Sequence, residues 1–158
     1  MKKFRGTYIK DQREVGLLRE ANSIVARILD EIDKLVRPGI KTIEFEELAN
    51  MLCAEYKVKS AFKGYYGFPY TICCSINEEI VHGFPSDRVL QEGDLVSFDM
   101  GVVHKGFYGD AARTYAVGQV SEEKVRLINV TKESLYKGIE KAYPGNFLKQ
   151  ISANIQTH

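Results

Sequence analysis

The sequence predicts an α+β fold, and three observations carry that prediction. Apolar residues recur at helical spacing from about residue 11 to 56, residues 70–118 read as strands centred on one hairpin, and helical spacing returns over residues 121–155. Helices and strands therefore fall in separate runs rather than alternating. At 158 residues, 44% hydrophobic and 27% charged, the chain reads as a single globular domain able to bury a substantial core.

The first helix is marked at both ends. Asp11 reads as its N-cap with Glu14 three residues on, and Val15, Leu18, Ala21, Val25, Leu29, Ile32 and Val36 form its stripe until Pro38 and Gly39 stop it. Thr42 is expected to cap a second helix whose buried stripe is Phe45, Leu48, Ala49, Leu52 and Tyr56. Lys63 to Pro69 is then a glycine-hinged aromatic loop. Such clusters more often cover the edge of a core than line a pocket, and both readings are open from composition. Tyr70 to Ile76 reads as a strand, apolar except for Thr71 and Ser75. In the segment Asn77–Pro85 a lone histidine, His82, precedes Gly83, and such a residue is more often structural or exposed than catalytic. Ser86 to Gly93 is a polar connection ending in a Glu92-Gly93 turn.

Asp94 to Gly118 is the predicted hairpin, two runs rich in Val, Phe, Tyr and Thr around the break His104, Lys105, Gly106. A two-residue turn at His104 and Lys105 would set Asp99 directly opposite Asp110. A three-residue turn would separate them. Alternation puts Val96, Phe98, Met100 and Val102 on one apolar face, and Leu95, Ser97, Asp99, Gly101 and Val103 on a mixed one. Like charges facing across a sheet are destabilising, and a cation bridging the two carboxylates would turn that repulsion into binding. With only His82, His104 and His158 in the chain, any metal would rest largely on carboxylates.

Ser121 is expected to cap a third long helix, with Val125, Ile128, Leu135, Ile139 and Ala142 on one face, ended by Pro144 and Gly145. Asn146 is the expected cap of a fourth, containing Leu148, Ile151 and Ile155. The order long helix, Pro-Gly, second helix thus occurs twice, dividing the chain into a first repeat over 1–118 and the helices of a second over 119–158. If the repeat is real, the second unit's sheet is missing. Net charge of +1 gives no nucleic-acid stripe, no run reaches the length of a membrane span, and Cys53, Cys73 and Cys74 read as free thiols of a cytoplasmic protein.

Ser75, Ile76, Asn77 and Glu78, then His82, Gly83, Phe84 and Pro85, then Ser97, Phe98 and Asp99, then Tyr108, Gly109, Asp110 and Ala111, together closely resemble the type I methionine aminopeptidases of the bacterial sort. The resemblance runs from the first helix to the last residue. It implies a pita-bread fold, two pseudo-symmetric α+β halves around two divalent metal ions (Co, Mn, Fe or Zn), and hydrolytic removal of the initiator methionine from nascent proteins and peptides. It further implies that Asp99 is a ligand of one metal and Asp110 a bridge between both. His82 would be the catalytic, non-ligand histidine at the scissile peptide. Tyr65, Phe68, Cys73 and His82 would contact the substrate, and Asn77 would lie near a monovalent-cation site. The pattern also requires a histidine in a Gly-His-Gly motif and two glutamates, all expected beyond His158, so this chain alone is expected to be inactive, with partial or no metal. The expected partner is a peptide with an N-terminal methionine. No nucleic acid or membrane is expected, and self-association is expected from a sheet left without cover. The alternatives are a non-catalytic pita-bread module that binds peptides or proteins, and a proline-directed relative such as aminopeptidase P or prolidase.

Overall fold

Strict alternation over Leu95–His104 builds the strand on which the first part of the molecule is assembled. In the computed structural model, which describes residues 2–158, the elements in chain order are β1 (Lys2–Phe4), β2 (Thr7–Ile9), α1 (Gln12–Leu35), α2 (Ile43–Glu55), β3 (Lys59–Ser60), β4 (Ile72–Ile76), β5 (Leu95–His104), β6 (Phe107–Ala116), α3 (Glu122–Ile139) and α4 (Leu148–Thr157). They group into two compact units, the first ending at Gln119 and the second spanning Val120–His158.

In the first unit β1 and β2 form a small separate hairpin. The main sheet is antiparallel throughout, with β6 along one edge of β5, and β4 followed by β3 along the other. Val96, Phe98, Met100 and Val102 are fully buried, and so are Ala21, Val25, Ile28, Leu29 and Ile32 of α1 and Phe45 and Ala49 of α2. The Phe45 and Phe98 rings meet at 4.5 Å between centroids. This corrects one expectation: the apolar face of the hairpin is not left seeking a cover, because α1 and α2 already cover it. At β6 the close approach of α1 needs a glycine, since a Cβ on Gly109 would lie 2.4 Å from the backbone carbon of Ala21.

The capping box at Asp11 is present in full, Glu14 N donating to Asp11 Oδ1 at 2.8 Å and Asp11 N to Glu14 Oε2 at 2.9 Å. Thr42 does not cap α2. Its hydroxyl instead exchanges hydrogen bonds with the backbone of Ser86, a partner 44 residues away that cannot be read locally. In the second unit Ser121 Oγ accepts from Lys124 N at the start of α3. Asn146 does not cap α4, because its amide donates to Lys141 O and the N-cap position falls to Phe147, whose N–H donates to Gln150 Oε1. The two helices of this unit meet where Gly138 faces Ile151 and Ile155. Among the described residues no helix is long and apolar enough to cross a membrane.

Candidate functional site

The hairpin turns at Lys105-Gly106, one residue later than the two-residue turn read from the sequence. Both residues have positive φ, 50° and 82°, as a type I′ turn requires, and His104 pairs with Phe107. Asp99 therefore pairs with Ala112, and Asp110 with Gly101. Directly opposed aspartates are corrected to diagonal neighbours on the same face, a spacing of about 7–8 Å between Cα atoms. Their shared face survives because the turn shifts the register by two residues, a full period of the strand.

Gly101 makes room at this point. A Cβ there would lie 2.8 Å from Phe62 Cε1 and 3.3 Å from Asp110 Oδ2. On the same face Ser97 and Thr114 hydroxyls are hydrogen bonded at 2.7 Å, and Cys73 of β4 pairs directly with Asp99. Asp99 is partly buried, and its Oδ1 is buried with no hydrogen-bond partner among the described residues. Burial first and then the charge of Asp110 raise the Asp99 carboxyl above its ordinary value, with His82 acting in the opposite sense. Burial also pushes the Cys73 thiol up to about 11, helped by the charges of Asp99 and Asp110. An orphaned, desolvated carboxylate oxygen beside a second carboxylate fits a divalent cation, whose hard charge prefers oxygen donors. Among the described residues no group of three or more His, Cys, Asp or Glu side chains is assembled, so these two aspartates are the donors in place.

Cys73 joins this face to a pocket of about 480 Å³, which also takes its walls from Phe62, Tyr65, Tyr66, Phe68, His82 and Phe84. Tyr65, Phe68, Cys73 and His82, the four residues singled out in the sequence as substrate contacts, are thus brought to one cavity. Phe68 and Phe84 pack edge to face at 5.4 Å, and Phe84 and Tyr70 meet at 5.5 Å. Tyr65, Tyr66, Gly67, Phe68 and Pro69 of the aromatic loop line this pocket, the reading that composition favoured less. Phe62, Tyr66 and Phe84 were not named as substrate contacts in the sequence. For Phe84 its place directly after His82 and Gly83 was the available signal.

His82 is exposed and held in a left-handed conformation, φ 60°, uncommon for a residue with a side chain. Its neighbour is tied down, since Gly83 N donates to Ser75 Oγ at 3.1 Å and Gly83 O accepts from Cys74 N at 2.9 Å. A Cβ on Gly83 would collide with Cys74 O at 2.3 Å, so only glycine permits this docking. Asn77, at φ 54°, sits at the far end of β4, where its amide donates to Asp94 Oδ1 and its carbonyl oxygen accepts from Leu95 N. It does not line the pocket.

The sequence signature of metallopeptidase family M24 matches residues 16–158. The chain is 48% identical to a methionine aminopeptidase of Clostridium acetobutylicum and 46% identical to methionine aminopeptidase 1 of Bacillus subtilis, matching 95% and 94% of this chain. It spans 60% of the length of each. The crystal structure of methionine aminopeptidase from Rickettsia prowazekii superposes with a TM-score of 0.93 at 37% identity, over 95% of this chain and 60% of that one. Prolidase from Pyrococcus furiosus superposes at 0.83 and 21% identity over 94% of this chain and 43% of its own, a likeness of fold.

Proposed function

The chain belongs to metallopeptidase family M24 and covers part of the pita-bread fold of that family; from that premise we propose that the activity it serves is hydrolytic removal of an N-terminal methionine from peptides and nascent proteins. One observation carries the reading. Four candidate substrate contacts share a pocket whose buried member, Cys73, is the direct strand partner of a carboxylate with an unsatisfied oxygen.

The roles follow from position. Asp99 and Asp110 would hold divalent metal, Asp110 from an exposed position and Asp99 from a desolvated one where a cation relieves an unfavourable charge. Two such ions, Mn, Fe, Co or Zn as the family resemblance implies, would supply Lewis acidity and an acidified water when bound. Tyr65, Phe68 and Cys73 offer an apolar, polarisable wall that suits a flexible thioether. The high pKa of Cys73 keeps it a neutral thiol, so it packs rather than attacks. His82, on a tethered but exposed backbone beside the pocket, would donate an imidazole N–H to the peptide being cleaved. Asn77 would mark the neighbourhood of a monovalent cation, with its own amide already committed to Asp94 and Leu95. We assign a cytoplasmic setting from the three free thiols, and peptide as the partner. With the apolar face covered, the face that bears Asp99 and Asp110 is the one from which self-association would come.

Calorimetric titration with Mn(II) or Co(II) tests the assignment on the unaltered chain, on Asp99→Asn and on Asp110→Asn. Binding that weakens at least about tenfold in each variant is expected, the scale on which a lost ligand or its support acts. Equal binding in all three would move the metal elsewhere and sink the proposal. A methionyl peptide binding equally well with and without metal would favour a non-catalytic binding module.

A further inference from the structure

Three of the aromatic residues that line the pocket, Tyr65, Tyr66 and Phe68, lie on one short segment, Lys63 to Thr71, and one buried carboxylate on α2 grips both of its ends. Glu46 is 6% exposed. Its Oε2 accepts from the backbone N–H groups of Thr71 at 2.8 Å and Ile72 at 3.3 Å, immediately before Cys73. Its Oε1 accepts from Lys63 Nζ at 3.4 Å, at the other end of the segment, and from Asn50 Nδ2 at 2.7 Å. Asn50, one turn along α2, repeats the pattern: its Oδ1 accepts from the Thr71 hydroxyl at 2.8 Å and from Lys63 Nζ at 3.4 Å. Ser60 Oγ closes the same two ends from β3, accepting from Phe62 and Lys63 N–H and donating to Thr71 O.

Burying a carboxylate costs several kcal/mol unless donors surround it, and here four do, two of them at the ends of one loop and a third on the first residue of β4. Between those ends the chain has little regular structure of its own. Gly64 and Gly67 are left-handed, with φ of 88° and 83°, Tyr66 is strained at 46°, and a bond from Gly64 N to Phe68 O at 2.7 Å closes the segment on itself. Such a ring keeps its internal shape, and its place is set at its ends by the bonds to Glu46, Asn50 and Ser60 and along its length by Phe68 against Tyr70 and Phe84. That place sets the width of the pocket between Tyr65 or Phe68 and Cys73, all of which line it.

We propose that Glu46 is a positioning residue that sets this width, and through it the size of apolar side chain the pocket accepts. The specificity role rests on reading the pocket as the methionine site. Glu46 does not itself line the pocket, so it acts through the loop it holds.

Two variants of the 158-residue chain test this. Glu46→Gln keeps the shape but turns one oxygen into a donor, which must face either Lys63 or the Thr71 and Ile72 N–H groups. Lys63→Met removes the side-chain tie to Glu46 and Asn50 at one end only, leaving the Ser60 bonds in place and the buried carboxylate bound to Thr71 and Ile72. Hydrogen exchange at residues 64–70 reads the hold on the loop, and NMR titration with L-methioninol and L-phenylalaninol, followed at the His82 ring, reads the pocket. In both variants exchange at 64–70 should rise about tenfold or more while β5 amides keep their rates. The preference for methioninol should fall by about threefold or more, a fraction of the roughly 10–200-fold that one methylene can command in a fixed apolar pocket. Unchanged loop exchange in both variants, or an equal rise in β5, would overturn the clamp, as would a loosened loop with unchanged preference. Equal affinity for the two probes in the unaltered chain would instead overturn the methionine reading and the specificity role with it, leaving exchange to decide whether Glu46 holds the loop.

Discussion

The two helix pairs of this molecule are written in much the same sequence pattern and have different fates. Each consists of a long amphipathic helix, a Pro-Gly break and a second helix. α1 buries Ala21, Ile24, Val25, Ile28, Leu29 and Ile32, and α2 adds Phe45, Ala49, Leu52 and Cys53. α3 buries Gly138 alone, and α4 buries none of its residues, while Val125, Leu135, Ile139, Leu148 and Ile155 remain exposed. An apolar stripe is therefore only a capacity for burial. What realises it in the first unit is the even-numbered face of β5, four side chains without a polar atom to satisfy, laid flat against the helices.

The comparison can be broken most decisively at its centre. Phe98→Ala removes a fully buried ring that touches Phe45 and Tyr115, and should cost about 3–5 kcal/mol in urea unfolding. The matching truncation in the second unit, Leu135→Ala at a side chain 56% exposed, should stay within about 0.5 kcal/mol. A comparable loss from both would mean that the exposed stripe of α3 is as well packed as the core. The two close glycines sharpen the same contrast at smaller scale. In Gly109→Ala the new methyl meets the backbone of Ala21, so α1 must lift, at about 1–3 kcal/mol. In Gly138→Ala it meets Ile155 Cδ1 at 2.8 Å, a side-chain tip that can rotate, and the helix gains about 1 kcal/mol of intrinsic preference, so the net change should be near zero.

The smallest effect separates the two faces of β5 itself. The fold raises the Asp99 carboxyl above its ordinary value of 3.8, so the folded state holds that proton more tightly than the unfolded chain does. The resulting stability is fully present below the ordinary value and is lost as the pH rises through the raised one. Without metal, Asp99→Asn should raise Tm at pH 7, by about 1–3 °C, and the gain should shrink to nothing as the pH falls below the ordinary value. Added Mn(II) or Co(II) should reverse the order by stabilising only the unaltered chain. A melting temperature lowered at pH 7 by the substitution would show that Asp99 has a structural partner after all.

Helix positions, the hairpin and its two faces were legible because their signals are local and periodic. Asp11 with Glu14, and Ser121 before Glu122, act within one turn of chain, and both caps formed where they were read. Thr42 and Asn146 are as good caps on paper. Thr42 holds the N-cap position, but its hydroxyl is turned to Ser86 O and N, and the Asn146 amide is turned to Lys141 O, so neither side chain caps its helix. The turn was misplaced for a chemical reason that was in fact available: a type I′ turn wants glycine second, which favours Lys105-Gly106 over His104-Lys105.

By itself, the sequence determined that Val96, Phe98, Met100 and Val102 form an apolar face and that two helices have stripes able to cover it, because strand and helix periods are properties of neighbouring residues; it put Asp99 and Asp110 on one face only for a two-residue turn. Only the tertiary structure decided that the aspartates are diagonal, that Asp99 keeps an unsatisfied buried oxygen, and that Tyr65, Phe68, Cys73 and His82 meet in one pocket. It alone drew Glu46 to both ends of the loop. These are contacts across tens of residues, set by how a sheet, two helices and a loop exclude water together, and no local pattern encodes the distance between groups so far apart in the chain.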